Sequence, residues 1–166
     1  MSGSTGFYGS YRNKIDAKGR VSIPADFRTT LQRQDPDYSS DTGARVLITY
    51  GLKPDMLVAY SMQELAGIRA TIDAMDYGED RDLMEQIFGS ESFMLTVDDS
   101  GRTVFPQALR DAAGLEGEVA FAGKVSSFEI MRTALADEIE AETRARKRAL
   151  GPGGAAALLN AGRRRT

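Results

Sequence analysis

Short strand-like segments broken by glycine and proline alternate along this chain with longer stretches whose apolar residues recur at helical spacing. The strongest pattern is a repeat. Ile15-Asp16-Ala17-Lys18-Gly19-Arg20-Val21-Ser22-Ile23-Pro24-Ala25-Asp26-Phe27-Arg28 is echoed without a gap by Val97-Asp98-Asp99-Ser100-Gly101-Arg102-Thr103-Val104-Phe105-Pro106-Gln107-Ala108-Leu109-Arg110. Asp, Gly, Arg, Pro and the final Arg coincide, and Ile15/Val97, Ile23/Phe105 and Phe27/Leu109 are like for like. Each copy predicts a strand ending at the aspartate, a glycine turn needing a positive φ, and a second strand running into proline. Proline then opens a short helix at its first position, and in the second copy Gly114 closes it.

The echo continues downstream at a shorter offset. Arg45 to Gly51 and Met56 to Tyr60 answer Glu118 to Gly123 and Phe128 to Met131. Each repeat is therefore strand, turn, strand, short helix, strand, turn, strand. The changed offset marks an insertion in the first copy, and Gln34 to Gly43, polar and rich in turn formers, predicts an exposed mobile loop. Between the copies two helices are expected. Ser61-Met62-Gln63-Glu64 has the form of a capping box with Leu65, Ile68 and Ile72 at helical spacing behind it. The other runs from about Asp80 to Phe88, burying Leu83, Ile87 and Phe88 and stopping at Gly89. A third helix is expected from after Met131 to about Leu150, with Arg144, Arg146, Lys147 and Arg148 at the negative end of its dipole. The expected organisation is a first repeat over residues 7–60, a helical connection over 61–90, a second repeat over 91–135, a helix over 136–150 and a disordered basic tail over 151–166.

Composition narrows the chemistry. Among 166 residues there is no cysteine and no histidine, which removes disulfides, thiolate metal sites, imidazole bases and Ser/His/Asp triads. The expectation is a protein that is not an enzyme and uses no cofactor or metal. Self-processing at a glycine-serine pair such as Gly9-Ser10 or Gly89-Ser90 finds no legible base to pair with the nucleophile. The N-terminal residues have neither the basic start nor the apolar run of a secretion signal, so a cytoplasmic, nucleoid-associated protein is expected.

A net charge of −3 is unusual for a nucleic-acid binder unless positive charge is concentrated locally. It is: from Phe7 to Gln34, Arg12, Lys14, Lys18, Arg20, Arg28 and Arg33 face only Asp16 and Asp26, a net of +4. Two long cations beside a glycine suit a close approach to DNA, with arginine gripping guanine and lysine pairing with phosphate. Arg20 is the first candidate for a base contact, Lys18, Arg12 and Lys14 for phosphates, Asn13 for either, and Arg102 for the corresponding role in the second repeat. Set against this, a Gly-Arg turn is often a plain hairpin turn with a solvated arginine. Asp16 and Asp98 read as turn caps, and Arg28 and Arg110 as surface or ion-pair residues of the short helices.

Tyr11 to Pro24, with its paired copy, Phe7-Tyr8-Gly9, Ala113-Gly114-Leu115 and Phe128-Glu129-Ile130, resembles the MraZ transcriptional regulators of the AbrB-like group over about Phe7 to Leu135. The resemblance implies a mainly β fold with peripheral helices (α+β), a swapped-hairpin AbrB-like barrel formed by the two internal repeats. It further implies a homo-oligomeric ring, and binding to short repeated double-stranded DNA elements in the promoter of a division and cell-wall gene cluster, as an autorepressor. Two departures stand out: Ser100 where the first repeat has Lys18, and Met131 where the family often has tryptophan. An alternative reading is an antitoxin-like, protein-binding module acting through the helix from Thr133 to Leu150 and the tail.

Overall fold

A computed structural model describes residues 5–165. The described residues up to Thr133 form one compact unit and those from Ala134 onward a second. In the first unit the repeat is explicit. The first copy supplies β1 (Ser10–Ile15), β2 (Arg20–Ser22), α1 (Ala25–Arg33), β3 (Ala44–Thr49) and β4 (Leu57–Tyr60). Two helices follow, α2 (Met62–Ala74) and α3 (Glu79–Phe88), and then the second copy, β5 (Ser92–Val97), β6 (Arg102–Val104), α4 (Gln107–Ala113), β7 (Gly117–Gly123) and β8 (Phe128–Arg132).

The eight strands form one antiparallel sheet in the order β5-β3-β4-β8-β7-β1-β2-β6. Its two ends, β5 and β6, belong to one hairpin: Asp98 N–H donates to Arg102 O at 3.0 Å and the Thr103 hydroxyl to Thr96 O at 2.9 Å, so the sheet is a nearly closed barrel. The pairing exchanges the repeats. β1 pairs with β7 and β3 with β5, so the first strand of each copy lies beside the third strand of the other. The two second strands pair with each other, as do the two fourth strands. This is the swapped-hairpin barrel, with a pseudo-twofold axis relating the copies.

The residues that match like for like between the repeats are core. Ile15 and Val97, Ile23 and Phe105, and Phe27 and Leu109 are all buried. Phe27 is packed by Phe7 edge-on at 5.6 Å and by Phe128 at 4.8 Å between ring centroids. Full burial of such a ring contributes roughly 1.5–3 kcal/mol, so an apolar match at these offsets is what the duplicated backbone requires. Pro24 and Pro106 stand one residue earlier than expected, as N-caps of α1 and α4, and Gly114 ends α4 in the left-handed conformation at φ 62°.

Three expectations need correction. The insertion is not exposed throughout: Gln34 and Asp35 are buried. Asp35 accepts from the Arg45 backbone at 2.9 Å, from Arg45 Nε at 3.1 Å and Nη2 at 2.7 Å, and from Asp37 N–H at 3.0 Å. Arg45 holds the Asp35 carboxyl down at about 2. Leu83 is 52% exposed rather than buried, because α3 meets the sheet only at its C-terminal end, where Ile87 is buried and Phe88 packs on Tyr60. Ser61 caps α2 at the expected place, its Oγ accepting from Glu64 N–H at 3.2 Å.

The third correction lies in the second unit. In place of a structureless tail, α5 (Thr133–Leu150) is followed by a break and by α6 (Gly154–Arg163). Gly151 and Gly153 take positive φ, as the glycine cluster suggests, but Ala155-Ala156-Ala157-Leu158-Leu159 is a run of strong helix formers. No helix among the described residues is long and apolar enough to cross a membrane.

Candidate nucleic-acid interface

Both turns are built by one aspartate. Asp16 Oδ1 accepts from the backbone N–H of Lys18 and of Arg20, each at 2.9 Å, and Gly19 N–H closes the turn onto Asp16 O at 3.0 Å. Asp98 repeats this with Ser100 at 3.0 Å, Arg102 at 2.9 Å and Gly101 N–H to Asp98 O at 2.9 Å. Gly19 and Gly101 hold φ of 88° and 90°, the left-handed region that side chains with a Cβ avoid. The Asx-type capping expected from sequence is therefore the device that shapes each turn.

Side chains then differ. Arg20 donates Nε to Asp16 Oδ2 at 2.5 Å, an ion pair that stays largely in solvent. The Arg20 backbone N–H and then its guanidinium hold the Asp16 carboxyl below the ordinary carboxylate value. At Asp98 the largest downward influence is the Ser100 hydroxyl, bonded at 2.7 Å, followed by the Arg102 backbone. Among the described residues the Arg102 guanidinium has no carboxylate partner.

The pairing of β2 with β6 brings the turns together as one ribbon, with Arg20 opposite Val104, Val21 opposite Thr103 and Ser22 opposite Arg102. Alternation buries Val21 and Thr103 and leaves Arg20, Ser22, Arg102 and Val104 on the outer face. Lys14 joins them: Lys14, Arg20, Val21, Ser22 and Arg102 line a shallow hollow of about 310 Å³. Three of the expected contact residues, drawn from both repeats, thus converge. Arg12 shares the exposed side of β1 with Lys14, and Lys18 is exposed at the first turn. Asn13 alternates away from Arg12 and Lys14 and donates its amide to Ser22 O at 2.6 Å, stapling β1 to β2.

Sequence reasoning missed the arginines behind the turns. Arg110 donates Nε to Phe105 O at 2.9 Å and Nη1 to Ala17 O at 3.0 Å, reaching the first repeat's turn from the second repeat's helix. Arg28 lies reciprocally over Gly101. The signal was present, because an arginine recurs at the same offset in both copies, but periodicity alone assigned it to the surface. Also unforeseen is the Tyr38 hydroxyl, which donates to Asp99 Oδ1 at 2.9 Å and ties the insertion to the second turn. Among the described residues no group of three or more Asp or Glu side chains is placed to hold a metal.

The class of fold is a two-repeat swapped-hairpin barrel that gathers cations from both copies onto one ribbon. No protein-family model matches the chain. Curated relatives do: a transcriptional regulator MraZ of Ruegeria pomeroyi is 37% identical over 136 residues, 81% of each chain. That of Cereibacter sphaeroides is 35% identical over 157 residues, 90% of this chain and 91% of the relative. That of Gluconacetobacter diazotrophicus is 32% identical over 145 residues, 87% and 89% respectively. The chain belongs to the MraZ family of transcriptional regulators.

Proposed function

We propose that the chain is a sequence-specific DNA-binding regulator that represses a division and cell-wall gene cluster, its own gene included, by reading short repeated promoter elements through its Gly-Arg turns. The observation that carries the reading is the convergence of Lys14, Arg20 and Arg102 on one exposed ribbon in a chain whose net charge is −3. Asp16 engages Arg20 at Nε while the side chain stays largely exposed, which leaves its terminal nitrogens for guanine O6 and N7. Lys18, Arg12 and Lys14 supply phosphate contacts, and Arg102 supplies the second repeat's share. Asn13 contributes indirectly, by fixing the strand that carries Lys14.

One barrel with a handful of cations binds duplex DNA only in the range of about 10⁻⁴ to 10⁻⁶ M. Joining several barrels in a ring raises apparent affinity by roughly 10² to 10⁴ when the turns reach neighbouring elements together. Ring assembly therefore makes the spacing of promoter repeats a determinant of specificity.

The test is fluorescence anisotropy with DNA from upstream of the protein's own gene against a shuffled duplex, over a salt series. Arg20→Ala is expected to cost the native duplex about 1–3 kcal/mol, Arg102→Ala less, and the shuffled duplex little from either. Equal, weak binding of both duplexes, unaffected by Arg20→Ala, would remove this reading. A second reading, capture of a protein partner by the C-terminal helices, is favoured by Leu158 and Leu159, which are 54% and 60% exposed on α6. Removal of residues 151–166 separates the two: loss of regulation with DNA affinity intact favours the partner.

A further inference from the structure

We infer that Arg28 and Arg110 are positioning residues, each bracing the turn of the opposite repeat from behind so that its cations are held in shape for nucleic acid. The inference rests on the reading above that the turns contact DNA.

The geometry is reciprocal. Arg110 sits on α4 of the second copy, yet its guanidinium spans Phe105 O and Ala17 O, the latter inside the first turn. A Cβ placed on Gly19 would lie 2.8 Å from Arg110 Nε, so the guanidinium lies directly behind the glycine. Arg28, on α1 of the first copy, stands 2.6 Å from the corresponding position on Gly101. Backbone bonds run the same way: Phe105 N–H donates to Gly19 O and Ile23 N–H to Gly101 O, both at 2.8 Å. Each turn is thus seated on the strand-to-helix junction of the other repeat.

Neither arginine behaves as a surface ion-pair residue. Both are half-buried, and neither has a carboxylate partner among the described residues. Charge-assisted bonds from one planar fork to two carbonyls fix direction as well as distance. The exchange of hairpins explains the recurrence at one offset, since a brace built into one copy serves the other. The two braces are unequal: among the described residues Arg28 makes neither of the carbonyl bonds that Arg110 makes and meets its turn only by lying over Gly101, so the first turn is the more firmly held.

Amide hydrogen exchange of the free protein, followed by NMR, reads the brace without DNA. The reporters are the bonded amides of Lys18, Gly19 and Arg20 in one turn and of Ser100, Gly101 and Arg102 in the other. Arg110→Ala is expected to speed exchange on the order of tenfold in the first set alone. Arg28→Ala acts on the second set alone, by less. Arg110→Lys recovers part of the protection, because an ammonium reaches one carbonyl but cannot fork. With promoter DNA, Arg110→Ala lowers specific affinity about tenfold while the slope of log K against log salt stays unchanged, whereas loss of a phosphate contact flattens it by about 0.9. A flattened slope with unaltered turn exchange overturns the inference, and so does exchange that rises equally in both turns. If the native protein fails to prefer its promoter, the functional reading falls, and the exchange pattern alone decides the brace.

Discussion

In the first turn Asp16 accepts from two backbone amides at Oδ1 and from the Arg20 guanidinium at Oδ2; in the second, Asp98 accepts from the equivalent amides and from the Ser100 hydroxyl, all at Oδ1. The backbones are near copies, with glycine φ of 88° and 90°. Duplication has therefore kept what shapes the loop, the aspartate and the glycine, while the positions that meet solvent have diverged. The first turn presents Lys18 and an Arg20 held by Asp16, and is gripped by Arg110 at Ala17 O. The second presents Ser100 and an Arg102 that has no carboxylate partner among the described residues, and Tyr38 of the insertion fastens it from outside. The first copy carries the more exposed charge, and the second retains the frame with less.

The sharpest way to break this comparison is to add a methyl group behind each turn. A Cβ on Gly19 would stand 2.3 Å from Phe105 O, a backbone atom of a fully buried residue that has nowhere to go. On Gly101 the nearest atom is the Arg28 guanidinium at 2.6 Å, the movable end of a long side chain, and Ile23 O lies farther off at 3.4 Å. Both alanines bear the left-handed backbone cost, about 1–2 kcal/mol. Gly19→Ala adds overpacking of about 1–3 kcal/mol. Urea unfolding should place Gly19→Ala roughly 2–5 kcal/mol below the native protein and Gly101→Ala only about 1–2 below it. Equal losses would mean that the two turns are seated alike after all.

The insertion is the other asymmetry between the copies, and Asp35 anchors it. Replacing Asp35 by Asn removes the charge that faces Arg45 and turns one acceptor into a donor, at an expected cost of about 2 kcal/mol. The acid dependence follows from the sign of the shift. The folded carboxyl titrates at about 2, below the ordinary value of about 3.9, so its stabilisation is complete above about pH 5 and is lost as pH falls from about 4 toward 2. Urea midpoints between about pH 5 and 2 should fall less steeply for Asp35→Asn than for the native chain. Parallel curves would show that Arg45 does not hold Asp35 in the folded state.

Much of the barrel was legible because the repeat carries its own punctuation. Asp16, Gly19 and Pro24 recur as Asp98, Gly101 and Pro106, and the apolar matches between them all prove to be core. The exposure of Leu83 was not legible, since helical spacing marks an apolar residue without saying which turn of the helix reaches the sheet. The helix over Gly154–Arg163 was hidden by a tail composition read from its glycines and arginines, when the alanines and leucines between them set the local preference. At the candidate site the exposed cations could be named in advance. Their supports could not, because Arg110 acts on Ala17, 93 positions away in the chain, and only the exchange of hairpins brings them together.

A milder change tests the charge difference between the turns directly. Ser100→Lys restores in the second copy the cation that the first carries as Lys18, on an exposed residue whose backbone N–H already bonds to Asp98. The lost hydroxyl bond to Asp98 is a solvent-exposed one, so folding stability should move by no more than about 0.5 kcal/mol. If the second turn faces the duplex, the new ammonium meets phosphate and steepens the slope of log K against log salt by up to about 0.9 per barrel, strengthening binding to native and shuffled DNA alike. The effect on discrimination should be close to nothing, because a point charge on a flexible stem reads no base pattern. A slope identical to that of the native protein would place the second turn away from the phosphates, leaving the Asp16–Arg20 turn as the contacting element and Asp98–Arg102 as its scaffold.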